Sequence, residues 1–245
     1  MNGGTRSHPP VEPASGARVD STPGAPAVGA VRWGDLDRTA PISRQFGFER
    51  GSCIDRLYIE DFLDGHRGMV RGRVLEIAES RYTRQFGGKR VSRAEVLFTE
   101  PGHRNGTLVG DLTRPETLPA GAFDCVILTQ TLQHIYDIQT AVATVYGILR
   151  PGGAALVTVP GISHVSRFDM DRWGDFWRFT TLSLARLLGG VFGAEAVRVA
   201  GRGNVLAAVG LLHGLAVEEM DRTALERDDA DYPVIVTACA VKRSE

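Results

Sequence analysis

The segment FDCVILTQTLQHI, Phe123–Ile135, runs apolar from Cys125 to Leu128 behind a single carboxylate, Asp124, and turns polar at Thr129, Gln130 and Thr131. A short apolar run bounded in this way reads as a strand buried on both faces, Phe123–Leu128. Beyond it, Val142, Val145, Ile148 and Leu149 recur at helical spacing over Thr140–Leu149, and Pro151-Gly152-Gly153 stops the pattern. In ILRPGGAALVTVPG, Ile148–Gly161, the run Ala154–Val159 is the next strand. Strand, helix and strand in succession predict parallel pairing through a right-handed crossover. An open parallel sheet binds its ligand beyond the carboxyl ends of its strands, which is where Gln130 and Thr131 then stand.

The same alternation continues in both directions. Upstream, Val74–Ile77, Ala94–Phe98 and Thr107–Val109 read as strands; Ile54, Leu57, Tyr58, Asp61 and Phe62 read as one helix. Downstream, a short amphipathic helix at Leu182–Leu188 precedes a strand at Val197–Val199. A helix from Leu206 to about Met220 and a last strand at Val234–Val241 complete the order. Residues 1–30 are rich in Gly, Pro, Ala and Ser and cannot bury enough surface to offset the entropy of ordering, so a disordered tail is expected there. Residues 31–70 mix aromatic and charged side chains and are expected to form a helical lid over the site, leaving 71–245 as the α/β domain.

Bulk properties narrow the function. A chain of 245 residues with 43% apolar content can bury one ordinary α/β core. A net charge of −1, with both signs mixed along the chain, leaves no basic stripe for a phosphate backbone, so nucleic acid is not an expected partner. Cys53, Cys125 and Cys239 are far apart in apolar settings and read as reduced core residues, and no apolar run is long enough to cross a membrane. These features predict a cytoplasmic protein without a membrane partner and without a required metal.

The order of elements resembles the class I methyltransferases that use S-adenosylmethionine, of the small-molecule type. The pair Phe123–Ile135 and Ile148–Gly161 carries the resemblance most specifically, and RWGDFWRFTTLSLARLL, Arg172–Leu188, is similar to a segment of bacterial methyltransferases of glycan and natural-product glycosylation. The resemblance implies a Rossmann-like α/β fold: a mostly parallel seven-stranded sheet with an antiparallel last strand and helices on both faces. It implies S-adenosylmethionine as cofactor and a small-molecule acceptor of the glycosylated kind, methylated at a hydroxyl or amine.

Site residues follow from position. Glu76 closes the first strand, and Glu95, nineteen positions later, has close to the spacing at which an acidic residue meets ribose hydroxyls. Asp111 and Leu112 follow the third strand and suit an adenine amino group and face, while Gln130 and Thr131 border the route to the methyl group. His134 and His164 each follow a strand on the same rim, so either can serve as the base that takes the acceptor proton. Asp169, Trp173, Trp177 and Arg178 form a charged, aromatic cluster suited to stacking on a sugar; the alternative is a surface loop whose tryptophans plug the core.

One departure stands out. The resemblance calls for a glycine-rich turn after the first strand, yet the sequence reads Ala78-Glu79-Ser80-Arg81-Tyr82-Thr83, with no glycine before Gly87. Ala78 therefore crowds the methionine end of the cofactor, and Arg81 is the residue expected to pair with its carboxylate. The loop Tyr82–Gly88 is similar to loops of bacterial relatives, which favours a variant site. Two other functions stay open: the same fold without methyl transfer, as a non-catalytic partner or in a cofactor-assisted rearrangement, and a nicotinamide oxidoreductase, which the missing three-glycine turn disfavours.

Overall fold

A computed structural model of the protein describes residues 24–244. The expected disordered tail, residues 1–30, lies mostly outside them; Gly24–Ala30, its described part, is solvent-exposed. Residues 24–39 form one unit, with a single short helical turn at Gly34–Leu36, and Ala40 onward forms a second that carries the sheet.

In chain order the second unit contains α1 (Ile54–Gly65), β1 (Gly72–Ile77), β2 (Val91–Phe98), β3 (Leu108–Val109), β4 (Phe123–Thr129), α2 (Ile138–Ile148) and β5 (Leu149–Pro160). Then follow α3 (Arg167–Met170), α4 (Thr181–Phe192), β6 (Val197–Arg202), α5 (Val205–His213), α6 (Arg222–Leu225) and β7 (Ile235–Val241). The sheet order is β3-β2-β1-β4-β5-β7-β6, and β7 alone runs against its neighbours. The expected seven-stranded, mostly parallel sheet with an antiparallel last strand is what the chain forms.

The two-residue alternation of a strand sorts side chains to opposite faces. Val126 and Leu128 of β4 pack into the cluster under α2 and α4, while Cys125 and Ile127 pack into the cluster under α1 and α5. Each such fully buried side chain contributes about 1.5–3 kcal/mol, which fixes the register of the central strands. All three cysteines are buried and free.

Two elements differ from the sequence expectation. The strand β5 begins at Leu149, ahead of Pro151-Gly152-Gly153, because those residues form an excursion inside the strand. Phe123 pairs with Leu149 and Cys125 with Ala154, and a Cβ at Gly153 would meet Arg150 O at 2.9 Å and Phe123 O at 3.0 Å. The helix expected to run from Leu206 to about Met220 ends at His213, where Gly214 takes a left-handed conformation, φ 70°.

The switch in strand order falls between β1 and β4: the chain runs outward from β1 through β2 to β3, then returns to β4 on the other side of β1. The loops leaving the carboxyl ends of β1 and β4 frame the cleft there.

Candidate active site

A cavity of about 610 Å³ opens at those carboxyl ends, within the usual range for a small-molecule site. One end is bounded by Leu97, Phe98 and Thr99 at the close of β2 and by Gly110, Asp111 and Leu112 after β3. The middle is formed by Ala78 and Glu79 after β1 and by Gln130 and Thr131 after β4. The other end holds His134, His164, Asp169 and Trp173, and Phe46, Asp55 and Arg56 from the N-terminal segment complete the wall. Neither Arg81 nor Tyr82 fills this space: Arg81 pairs outward with Glu60 at 2.7 Å, and the Tyr82 ring is fully buried in the core.

The turn after β1 solves the glycine problem locally. Ala78 itself takes the left-handed conformation, φ 63°, that a glycine would take at lower cost. Glu76, 1% exposed, does not line the cavity. Its carboxylate lies beneath the turn and accepts the backbone N–H groups of Tyr82 at 3.1 Å and Thr83 at 2.7 Å. Burial pushes its carboxyl above the usual range, against the pull of those hydrogen bonds from Thr83 and Tyr82. A single turn of wide helix, Thr83–Gly87, follows and stands where a longer crossover helix would be.

Glu95 and Arg81 are corrected in placement. Glu95 sits in the middle of β2, is 1% exposed, and binds Arg73 at 2.8 Å, Arg93 at 2.7 Å and the Thr107 hydroxyl at 2.8 Å. Its side chain is committed in the sheet, so it cannot meet a ribose. The acidic residue just past the end of β2 is Glu100, an exposed residue next in sequence to Thr99, which lines the cavity although Glu100 itself does not. Arg81 is exposed on the far side of the turn, because the helical rotation from Arg81 to Tyr82 sends neighbouring side chains in different directions. The cation that does line this part of the cavity is Arg56, from the first turn of α1.

Asp111 and Leu112 both line the cavity; one Asp111 oxygen accepts the amide and hydroxyl of Thr113, each at 2.8 Å, and Leu112 is buried. Gln130 adopts φ 49°, and its buried Nε2 has no partner among the described residues.

Both histidines are held by one stretch of chain, Gly174–Phe179, which crosses the ends of β4 and β5. The Nδ1 of His134 bonds to Gly174 O at 2.8 Å, so in the neutral ring Nδ1 carries the proton and Nε2 is left as the basic nitrogen. The Phe176 amide donates to Gln133 O at 2.8 Å, and the Trp177 indole N–H donates to Ile135 O at 3.0 Å. Arg178 donates to Ser163 O at 3.3 Å, His164 O at 2.6 Å, Trp177 O at 2.8 Å and both oxygens of Asp175 at 2.6 and 2.9 Å. Those contacts occupy all its N–H groups. Arg178 is therefore a clasp with nothing left to grip a sugar. Trp177 is corrected too: it does not line the cavity but packs against the core, whereas Trp173, 56% exposed, and Asp169 stay in the wall.

His164 leaves both ring nitrogens buried without a hydrogen-bond partner and stacks on Phe46. Burial, and then the charge of Arg178, hold its pKa below the ordinary imidazole value; Asp175 opposes them. The ring is thus neutral at neutral pH and able to accept a proton.

Residues 68–157 match the family model described as the methyltransferase domain. This stretch is therefore similar to a methyltransferase domain. The fold of the chain aligns with a SAM-dependent methyltransferase from Archaeoglobus fulgidus at TM-score 0.51 and 12% identity, covering 76% of this chain and 94% of that one. It also aligns with the cyclase SpnF at TM-score 0.52 and 17% identity, over 80% and 84% of the two chains. A comparison with curated proteins finds no match. The cavity fits S-adenosylmethionine: a cleft of suitable size at the switch in strand order, the free carboxylate oxygen of Asp111 beside Leu112, and the unpartnered Gln130 Nε2. Among the described residues no three His, Cys, Asp or Glu side chains gather as a metal site, and no helix is long and apolar enough to cross a membrane.

Proposed function

We propose that the protein methylates a hydroxyl or amine of a small, sugar-containing or natural-product molecule carrying no phosphate at the reacting end, in the cytoplasm. Bound S-adenosylmethionine supplies a methyl group already activated on a sulfonium, so the protein has mainly to orient the acceptor and exclude water. In this reading Asp111 and Leu112 hold the adenine, Thr99 and Glu100 lie toward the ribose, and Gln130 and Thr131 border the path of the methyl group. As the acceptor oxygen or nitrogen gains the methyl group its proton passes to an imidazole, His164 or His134, each of which offers a nitrogen without a proton. Phe46 and Phe48 from the N-terminal segment close over the acceptor as a lid, and Trp173 gives a sugar ring a face to stack on.

The observation that carries this reading is the unpartnered, half-buried His164 imidazole in the wall of the cleft. Charge supports the nature of the acceptor. Around the acceptor end Arg178 is spent on Asp175 and on carbonyl groups, so a phosphate or sulfate beside it would gain no free N–H group from Arg178, while Asp169 would repel it.

Two measurements test the proposal. Titration calorimetry with S-adenosylhomocysteine should give saturable binding, and incubation with S-adenosylmethionine and a panel of glycosides, amines and sugar phosphates should release S-adenosylhomocysteine with unphosphorylated acceptors only. Binding without turnover across the panel would favour a fold that has lost transfer. No binding at millimolar ligand would overturn the reading.

A further inference from the structure

Part of the turn after β1 is already spent, although the amides of Glu79, Ser80 and Arg81 have no acceptor among the described residues. Its amides at Ala78, Tyr82, Thr83 and Arg84 are committed to Leu97 O, to the two oxygens of Glu76 and to Ser80 O. Arg81 faces Glu60 outside the cavity. A zwitterion placed against Ala78 and Glu79 would find a crowded backbone and one exposed carboxylate.

Helix α1 brings what the turn lacks. Asp55 and Arg56, consecutive in its first turn, both line the cavity. Arg56 Nη1 donates to the hydroxyl of the buried Tyr82 at 2.7 Å, its one side-chain hydrogen bond among the described residues, which leaves most of its N–H groups for a ligand. The Tyr82 ring is fixed in the core, so the guanidinium is positioned before any ligand arrives. Asp55 uses one oxygen to accept the Arg56 amide at 2.8 Å, and its other oxygen has no protein partner among the described residues. Burial raises the Asp55 carboxyl above its usual range despite the charge of Arg56.

We propose that α1 replaces the missing glycine turn: Arg56 receives the carboxylate, and Asp55 the ammonium, of the amino-acid end of S-adenosylmethionine. The inference rests on the cofactor reading of the cavity and adds where the methionine end is held. It makes the segment before β1 part of the cofactor site as well as a cover for the acceptor, so cofactor binding and lid position become linked.

The test compares two ligands that differ only at this end. S-adenosylhomocysteine has the amino-acid group; 5′-methylthioadenosine keeps the nucleoside and thioether without it. Calorimetry on the full chain is expected to show that Arg56→Met weakens S-adenosylhomocysteine about 10- to 100-fold, the loss of charge-assisted hydrogen bonds, while methylthioadenosine changes less than about twofold. Arg56→Lys should recover part of the loss, because it keeps the charge without the fork. Asp55→Asn should weaken S-adenosylhomocysteine about 5- to 10-fold and spare methylthioadenosine. Equal loss of both ligands in Arg56→Met would mean a general disturbance through Tyr82 and would overturn the inference. So would an unchanged affinity for S-adenosylhomocysteine. A wild-type protein that binds neither ligand would remove the cofactor reading as well, a result distinct from either.

Discussion

The imidazole of His164 lies nearly flat on the ring of Phe46, with centroids 4.0 Å apart and planes 24° from parallel. The contact joins the N-terminal segment to the loop after β5 and covers a ring whose nitrogens have no other partner. Phe46 holds its place at φ 56°, next to Gly47 at φ 82°, where a Cβ would sit 2.9 Å from Leu215 O. This part of the N-terminal segment is therefore anchored at one tight turn.

Removing that cover should change the histidine before it changes the fold. Phe46→Ala admits water to His164, and since burial is the main cause of its lowered pKa, the value should climb toward the ordinary imidazole range near 6.5. NMR titration of the His164 ring proton checks this directly. An unmoved titration would show that Arg178, not Phe46, sets the value.

The same depression gives a sign for stability. His164 binds its proton less readily folded than unfolded, so below about pH 6.5 the unfolded chain takes up more protons. The contribution of this residue is complete above that pH and is lost as the pH falls through the window below it. Urea midpoints measured from pH 7.5 to 5 should decline less steeply in His164→Gln than in the parent protein, which is the check on this linkage.

The Asp175–Arg178 clasp predicts a coupled response of the two histidine loops. The Asp175 side chain is 2% exposed; burial alone would raise its pKa, but Arg178, with the Ser166 amide and His134, holds it below the usual carboxylate range. Asp175→Asn leaves Arg178 without its charge partner and should destabilise the protein by about 3 kcal/mol. The local effect is more telling. Amide hydrogen exchange should accelerate at Ser166, which donates to Asp175, and at Phe176, which donates to Gln133 O, with no matching change in the central strands.

Much of this architecture was legible in the sequence, because buried strands and amphipathic helices announce themselves through periodicity. The turn from Leu128 into Gln130 and Thr131 pointed to the cavity, and Asp111, Leu112, His134 and His164 stand in its wall. What the sequence hid was direction and distance. Counting nineteen residues from Glu76 ended at Glu95, but β2 extends to Phe98, so the count stopped in mid-strand. Arg81 has the right neighbours in sequence and the wrong azimuth on its turn. Arg56 carries no local signal at all, since only the packing of α1 against the sheet through Ile54, Tyr58 and Leu63 brings it to the cavity. The saturation of Arg178 is likewise invisible until its acceptors, which come from two stretches of chain, are assembled.

Ala78 offers a test of whether the glycine-poor turn is strained or merely different. An alanine in the left-handed region costs roughly 1 kcal/mol relative to glycine, so Ala78→Gly should raise the unfolding free energy by about that amount, read as a higher urea midpoint at an unchanged m value. Affinity for S-adenosylhomocysteine should not fall, because the amides of Ala78, Tyr82, Thr83 and Arg84 are already committed elsewhere. A large gain in affinity would instead mean that the missing glycine had limited the site.

Glu95 separates structure from site most sharply. Its carboxylate joins Arg73, Arg93 and Thr107 across β1, β2 and the loop before β3, and Thr107 Oγ1 also accepts the Val96 amide at 2.8 Å, so the cluster ties the outer edge of the sheet together. Glu95→Ala strands two guanidinium groups, one of them only 24% exposed, and should cost about 3 kcal/mol. Were Glu95 a ribose ligand, the same substitution would cost affinity for both S-adenosylhomocysteine and methylthioadenosine under conditions where the protein remains folded. With the carboxylate in mid-strand, the expected result is a lower melting temperature and two unchanged dissociation constants. Substituting Glu100, just beyond the end of β2, should give the opposite pattern: ordinary stability, and weaker binding of both nucleosides.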